Sequence, residues 1–167
     1  MTHPKFGLIV ALLGCLAAFA SCSDSAVNGS NGQPAGPASS NTNSNNDSAR
    51  TNVEELSLQI SVPYESEDVV WKEDPGHKKL VAVFLFSPQQ SARVIAEAEK
   101  IKPPEGVTLG SESWFPPELI AQSEMTGDDT LKARAYAANA FFGGSYNEGR
   151  IARIQGTDYF VLELFAK

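Results

Sequence analysis

The stretch Leu80–Phe86, Leu-Val-Ala-Val-Phe-Leu-Phe, decides the fold. A short, continuous run of apolar, β-prone residues is typical of a strand that is covered on both faces. Ser87-Pro88-Gln89-Gln90 follows at once and supplies an N-cap serine, a proline at the first helical position and a glutamine at the third. The sequence therefore predicts a strand followed directly by a helix that begins at Pro88 and ends before Pro103-Pro104. Four residues at helical spacing form its buried stripe: Val94, Ile95, Ala98 and Ile101.

Two segments precede this strand. In the first, apolar and polar residues alternate from Leu56 to Val62, which predicts a half-buried strand that ends at Pro63. In the second, Asp68, Glu73 and Asp74 surround Val69-Val70-Trp71. This density of charge predicts an exposed loop rim.

The segments after the helix alternate between strand and helix patterns. Val107-Thr108-Leu109 predicts a short strand. Residues 118–125 follow the proline-rich segment 114–117 and predict a short helix. Residues 131–142 are rich in alanine at helical spacing and predict another helix. Residues 150–154 and 159–165 are β-prone runs separated by a glycine-containing turn, which predicts a C-terminal hairpin. The pattern indicates a small α+β domain: a mainly antiparallel sheet with one long and one or two short helices packed on it.

Composition and charge restrict the functional classes. The chain has 167 residues, 42% of them apolar, and a formal net charge of −7. Lys5 and Arg50 balance Asp24 and Asp47, so the whole net charge falls on residues 53–167, the predicted globular domain. An acidic domain has no electrostatic reason to bind nucleic acid.

The N-terminus has the composition of an export signal. Lys5 precedes an apolar run from Gly7 to Ala20, which is too short to span a bilayer as a helix. The run ends in Phe19-Ala20-Ser21-Cys22, which resembles the lipobox of bacterial lipoproteins, although the family prefers an aliphatic residue where Phe19 stands. The resemblance implies a signal peptide over residues 1–21, diacylation of Cys22, and a chain anchored in the cell envelope. In a Gram-negative cell, Ser23 after the lipidated cysteine implies sorting to the outer membrane, facing the periplasm or the cell surface.

Other processing routes stay open. Leu12-Leu13-Gly14-Cys15 also matches the lipobox, but its use would leave a very short apolar run. Cleavage after Ala18-Phe19-Ala20 by ordinary signal peptidase would release a secreted protein, and an uncleaved segment would remain as an anchor.

Residues 22–52 predict a lipidated N-terminus followed by a disordered tether. The segment consists mostly of Ser, Asn, Gly, Ala and Pro, with few apolar side chains to bury. Because both cysteines, Cys15 and Cys22, precede the domain, residues 53–167 contain no disulfide and no thiol nucleophile.

The domain lacks the motifs of common catalytic and cofactor sites. His77 is its only histidine and lies in a polar turn, and no nucleotide-binding, calcium-binding or nucleophile-elbow motif occurs. We therefore expect no cofactor, no metal site and no catalytic residue. An alternative function is hydrolysis of cell-wall glycans by a carboxylate pair such as Glu112 and Glu118. Inhibition of a foreign enzyme is a third.

Two aromatic clusters are the candidate binding residues. Rigid rings beside turn residues are common at recognition surfaces, and a nearby guanidinium could bind an anionic group. The first cluster lies in residues 114–117 and the second in residues 141–146. The candidates from these clusters and beside them are Trp114, Phe115, Phe142, Tyr146 and Arg150. The sequence thus predicts a non-catalytic binding or accessory domain, anchored to the membrane through its N-terminal lipid, whose partner is an envelope protein or a small ligand.

Overall fold

A computed structural model describes residues 48–167. The predicted signal peptide, Cys15, Cys22 and the tether up to residue 47 lie outside the described residues. Six strands form one sheet in the described part: β1 Asp68–Asp74, β2 Lys79–Leu85, β3 Glu105–Gly110, β4 Thr130–Ala137, β5 Tyr146–Ile154 and β6 Tyr159–Ala166. Three α-helices and one 3-10 turn accompany them: α1 Val53–Ser57, α2 Pro88–Glu99, α3 Pro117–Thr126 and the turn Asn139–Phe141.

The strand order is β1-β2-β6-β5-β4-β3, and every neighbouring pair is antiparallel. The predicted α+β class and C-terminal hairpin are confirmed, with β5 and β6 as the hairpin. Strands β6 and β5 lie at the centre of the sheet, whereas β1 and β3 form its two edges.

Each face of the sheet has its own core, because apolar residues point alternately to the two sides. On the α2 face, Leu80, Phe84 and Leu162 pack with Val94 and Ala98 of the helix. On the α3 face, residues such as Val83, Val161 and Ala133 pack with Leu119 and Phe115. The central strands are therefore buried on both sides, as the continuous apolar run of β2 predicts.

The predicted helix at Pro88 is confirmed, but Ile101 of its predicted buried stripe lies beyond Glu99 and is 55% exposed. The start of the helix has a simple cause. The Ser87 hydroxyl accepts a hydrogen bond from the N–H of Gln90 at 3.3 Å, and Pro88 occupies the first turn. The short helix predicted over residues 118–125 is also present as α3.

The strand predicted over residues 56–62 is wrong. The Asn52 side chain accepts hydrogen bonds from the N–H groups of Glu54 and Glu55 and caps α1, and a turn follows. Leu56 and Ile60, four residues apart, are buried, whereas Leu58 between them is 83% exposed. The alternating pattern also contained a helical spacing, and the N-cap decided between the two.

Two further segments were predicted wrongly. The helix predicted over residues 131–142 is mainly strand β4, in which Leu131, Ala133 and Ala135 alternate toward the α3 face. All three pack in the core that includes Leu119 of α3. The loop rim predicted around Trp71 is the edge strand β1, whose charged residues lie toward its ends.

Candidate ligand-binding groove

The first predicted aromatic cluster belongs mainly to the core. Phe115 is buried, and Trp114 packs against it edge-on with ring centroids 4.8 Å apart. The Trp114 indole N–H donates to a Glu112 carboxylate oxygen at 2.7 Å. These contacts fix the entry to α3.

The second cluster is also structural. Phe142 packs against the core of the α2 face, and Tyr146 is only 3% exposed. The Tyr146 hydroxyl donates to a Glu73 carboxylate oxygen at 2.7 Å. Burial, together with this hydrogen bond, raises the pKa of Tyr146 well above its usual value. Tyr146 therefore joins the start of β5 to the edge strand β1.

Arg150 lies on the opposite, α3, face of the sheet and is engaged in an ion-pair network. The Glu163 carboxylate accepts from Arg150 Nη2 at 2.7 Å and from Lys79 Nζ at 2.9 Å. Burial acts to raise the pKa of Glu163, but the hydrogen bonds from Lys79 and Arg150 outweigh it, so the pKa lies below the usual value. The structure thus does not bring the five predicted binding residues together into one site.

Glu163→Gln is expected to destabilise the domain by about 2 kcal/mol near pH 7, because it leaves Lys79 and Arg150 together without a counter-charge. Because the folded-state pKa of Glu163 lies below the ordinary 4.5, the ionised carboxylate stabilises the folded domain at pH values above 4.5. The difference between wild type and variant should therefore shrink as the pH falls through the folded-state pKa. Urea unfolding between pH 3 and 7 measures this. Glu124→Gln, at an exposed site, is the control, and a pH-independent difference would contradict the account.

A groove of about 650 Å³ lies on the α2 face across β3, β4 and β5. No residue of α2 lines it, and none of the lining residues is acidic. Six of them define what we call the cationic groove: Gly106, Thr108, Lys132, Arg134, Tyr136 and Arg153. Three cations thus meet in one depression of a domain that is acidic as a whole.

The strand register forces two of these cations together. Arg134 and Arg153 stand directly opposite each other on β4 and β5. Directly opposed residues have Cβ atoms about 5 Å apart, and like charges in this position destabilise a sheet. Arg153 is compensated, since its guanidinium donates to Asp158 and to the Thr157 carbonyl at 2.7 and 2.8 Å.

Arg134 and Lys132 have no such compensation. Neither side chain forms an ion pair or a hydrogen bond within residues 48–167, and both are exposed. An uncompensated cation opposite a second cation costs stability, so binding of an anion here would relieve repulsion as well as form charge-assisted hydrogen bonds.

Tyr136 adds a polar atom from the floor of the groove. The residue is 3% exposed, and its hydroxyl makes no hydrogen bond to any other described residue. Tyr136 lines the groove, and its hydroxyl oxygen is not fully buried. A buried ring that presents a free hydroxyl beside two free cations is suited to hold an acceptor oxygen.

The groove was not predicted from the sequence, because the alanine pattern of residues 131–142 indicated a helix. On a helix, residues two apart point in different directions, so Lys132, Arg134 and Tyr136 would scatter. On a strand they share one face. The signal was present as strict alternation of Lys132, Arg134 and Tyr136 with three alanines.

The described residues offer little for other chemistry. They contain no group of three or more histidine, cysteine or acidic side chains arranged to hold a metal ion. None of the helices between residues 48 and 167 has the length and apolar character needed to cross a membrane. Glu112 and Glu118 are exposed and occupied with Trp114 and Tyr159, and neither lines the cationic groove.

Comparisons with known proteins add no relative to this account. A scan against protein-family models, a search of curated proteins and a search of solved structures each find no match.

Proposed function

We propose that the chain is a membrane-anchored bacterial envelope lipoprotein whose globular domain binds an anionic ligand in the cationic groove without catalysis. The lipobox-like Ala20-Ser21-Cys22 supports the anchor. The observation that carries the binding role is the pairing of Arg134 against Arg153, with Arg134 and Lys132 free of partners in the described part of the chain.

Electrostatics favours an anion over a neutral or cationic ligand. The groove concentrates positive charge in an otherwise acidic domain, and concave sites focus such a field. A guanidinium fork binds a carboxylate or phosphate through two parallel hydrogen bonds. The groove supplies positioning groups, and its lining contains no carboxylate that could serve as an acid or base, so binding is favoured over glycan hydrolysis.

Arg134→Gln tests the binding role. Calorimetric titration of the full chain with citrate, with pyrophosphate and with an acidic peptide should show binding of at least one probe that weakens with added salt. The variant should lose about tenfold or more in affinity, since it removes a charged hydrogen-bond donor.

Arg93→Gln makes the same change of charge on the exposed side of α2 and is the matched control. It should leave each dissociation constant within about twofold, because Arg93 does not line the groove and salt screens its exposed charge. If no probe binds, or if both variants bind as wild type does, the binding role is lost.

The anchor has its own test. Mass spectrometry of the N-terminal peptide from bacterial membranes should find a diacylated Cys22, and Cys22→Ser should release the chain from the membrane fraction. An unmodified N-terminus at Ser21 would overturn the anchor and leave the groove's role intact.

A further inference from the structure

The outer edge of β3 borders the cationic groove and is free of a neighbouring strand within residues 48–167. The other edge of the sheet differs, because Arg50 exchanges two backbone hydrogen bonds of 2.8 Å with Trp71 of β1. No equivalent segment covers β3 in the described part of the chain. This edge is therefore available for main-chain pairing.

The register shows which backbone groups point outward. The N–H of Ser111 donates to the carbonyl of Asp129 at 2.9 Å, which continues the β3–β4 ladder by one residue. Hydrogen-bonded positions alternate along an antiparallel pair, so Leu109 and Val107 also face β4. The N–H and C=O groups of Gly106, Thr108 and Gly110 consequently face the free edge.

The edge carries few of the features that usually prevent strand addition. Between Glu105 and Gly110 there is neither lysine nor proline, and the only charge is at Glu105. Edge strands of monomeric proteins are commonly protected by such residues or by a covering segment. Both are lacking along Glu105–Gly110 of the described structure.

Two of the three outward-facing residues, Gly106 and Thr108, also line the groove. Gly106 stands opposite Arg134, and Thr108 stands opposite Lys132. A Cβ built on Gly106 would meet nothing within 4 Å, so the space above it is open. Residues of an added strand that lie beside Gly106 and Thr108 would point to the same face as the two cations.

The spacing fits a carboxylate on such a strand. Strands in a sheet lie about 4.8 Å apart, so the added strand would run about 10 Å from β4. An arginine and a glutamate together span that distance across the glycine. Acidic residues at alternate positions would reach Arg134 and Lys132 in turn.

We infer that β3 accepts an extended acidic segment of a partner protein as a seventh strand, with alternate carboxylates paired to Arg134 and Lys132. Main-chain hydrogen bonds would supply affinity and the cations would select the sequence, as in other cases of strand addition. The inference rests on the proposed anion-binding role of the groove and names the ligand class.

Two isomeric probes test the strand addition on the full chain. The parent peptide is acetyl-Ser-Glu-Val-Glu-Val-Glu-Val-amide. One isomer carries N-methyl groups on its three glutamates, and the other carries them on its three valines. Methylation removes the N–H donors of one edge only. The parent should bind, one isomer should lose about tenfold or more in affinity, and the other should stay within about threefold.

A protein variant provides an independent readout. Thr108→Pro removes an outward N–H that β4 does not use, a position where edge strands tolerate proline. It should weaken binding of the parent peptide about tenfold, whereas Thr108→Val should retain it. Circular dichroism checks that both variants fold.

The outcomes separate this inference from the proposed function. Equal affinity of both methylated isomers, or an equal loss in both, would overturn strand addition. Binding of citrate or pyrophosphate that depends on Arg134, without binding of the peptide, would also overturn it and leave the anion-binding role standing. If citrate, pyrophosphate and the parent peptide all fail to bind, both strand addition and the anion-binding role are lost.

Discussion

Gly149→Ala is expected to destabilise the domain by about 4 kcal/mol, from backbone strain and overpacking together. Gly149 has a φ of +149°, a backbone angle that residues other than glycine rarely adopt. A Cβ there would overlap the carbonyl oxygen of Glu163 and lie 2.8 Å from Leu164 Cδ2. The adjacent irregularity in the β5–β6 pairing, between Tyr146 and Glu148, brings the two backbones this close. Urea unfolding followed by circular dichroism measures the loss.

Gly110→Ala is the matched control for this effect. Gly110 also lies in a strand, but a Cβ there meets nothing within 4 Å and its φ is not positive. Its unfolding free energy should stay within about 0.5 kcal/mol of wild type. Equal stability of the two variants would contradict the described β5–β6 geometry.

Trp71→Ala is expected to destabilise the domain by about 4 kcal/mol, in the range found for large buried aromatic residues. The Trp71 ring is fully buried, and its indole N–H donates to the Asn52 carbonyl at 3.1 Å. The Arg50 guanidinium lies 4.7 Å from the ring centroid. Loss of the ring therefore removes core packing, the indole hydrogen bond to Asn52 and the cation–π contact with Arg50, and leaves residues 50–52 held by the backbone pairing alone.

Leu58→Ala serves as the control, because Leu58 is 83% exposed at the end of α1. It should change the unfolding free energy by no more than about 0.5 kcal/mol. Had residues 56–62 formed a strand with Leu58 facing the core, Leu58→Ala would cost about 2 kcal/mol or more. Leu58→Ala thus distinguishes the helical structure of this segment from the strand that alternation predicts.

The parts of the fold that the sequence predicts are those in which independent signals agree. For β2 and α2, an apolar run, an N-cap serine and a proline all indicate the same boundary at Ser87. Residues 56–62 and 131–142 were each predicted from hydrophobic spacing alone. The Asn52 cap decided the first segment against the prediction, and pairing of β4 with β3 and β5 decided the second. Trp71 was missed because charges beside it suggested solvent, whereas an edge strand also carries charge.

The candidate site was less predictable than the fold. Aromatic residues near turns suggested a binding surface, but a hydrophobic core needs the same residues, and Phe115 and Tyr146 are used there. The cationic groove depends on the pairing of β4 with β5, which places Arg134 against Arg153. Such a long-range register is not encoded in any local pattern.

The most direct test of the account measures affinity and stability on the same samples of wild type and Arg134→Gln. The account predicts that affinity for the acidic peptide falls about tenfold or more. It also predicts that the unfolding free energy stays equal or rises by up to about 0.5 kcal/mol, because Arg134 opposes Arg153. Unchanged affinity, or a loss of stability alongside the loss of affinity, would contradict the claim that Arg134 is held in the groove for binding.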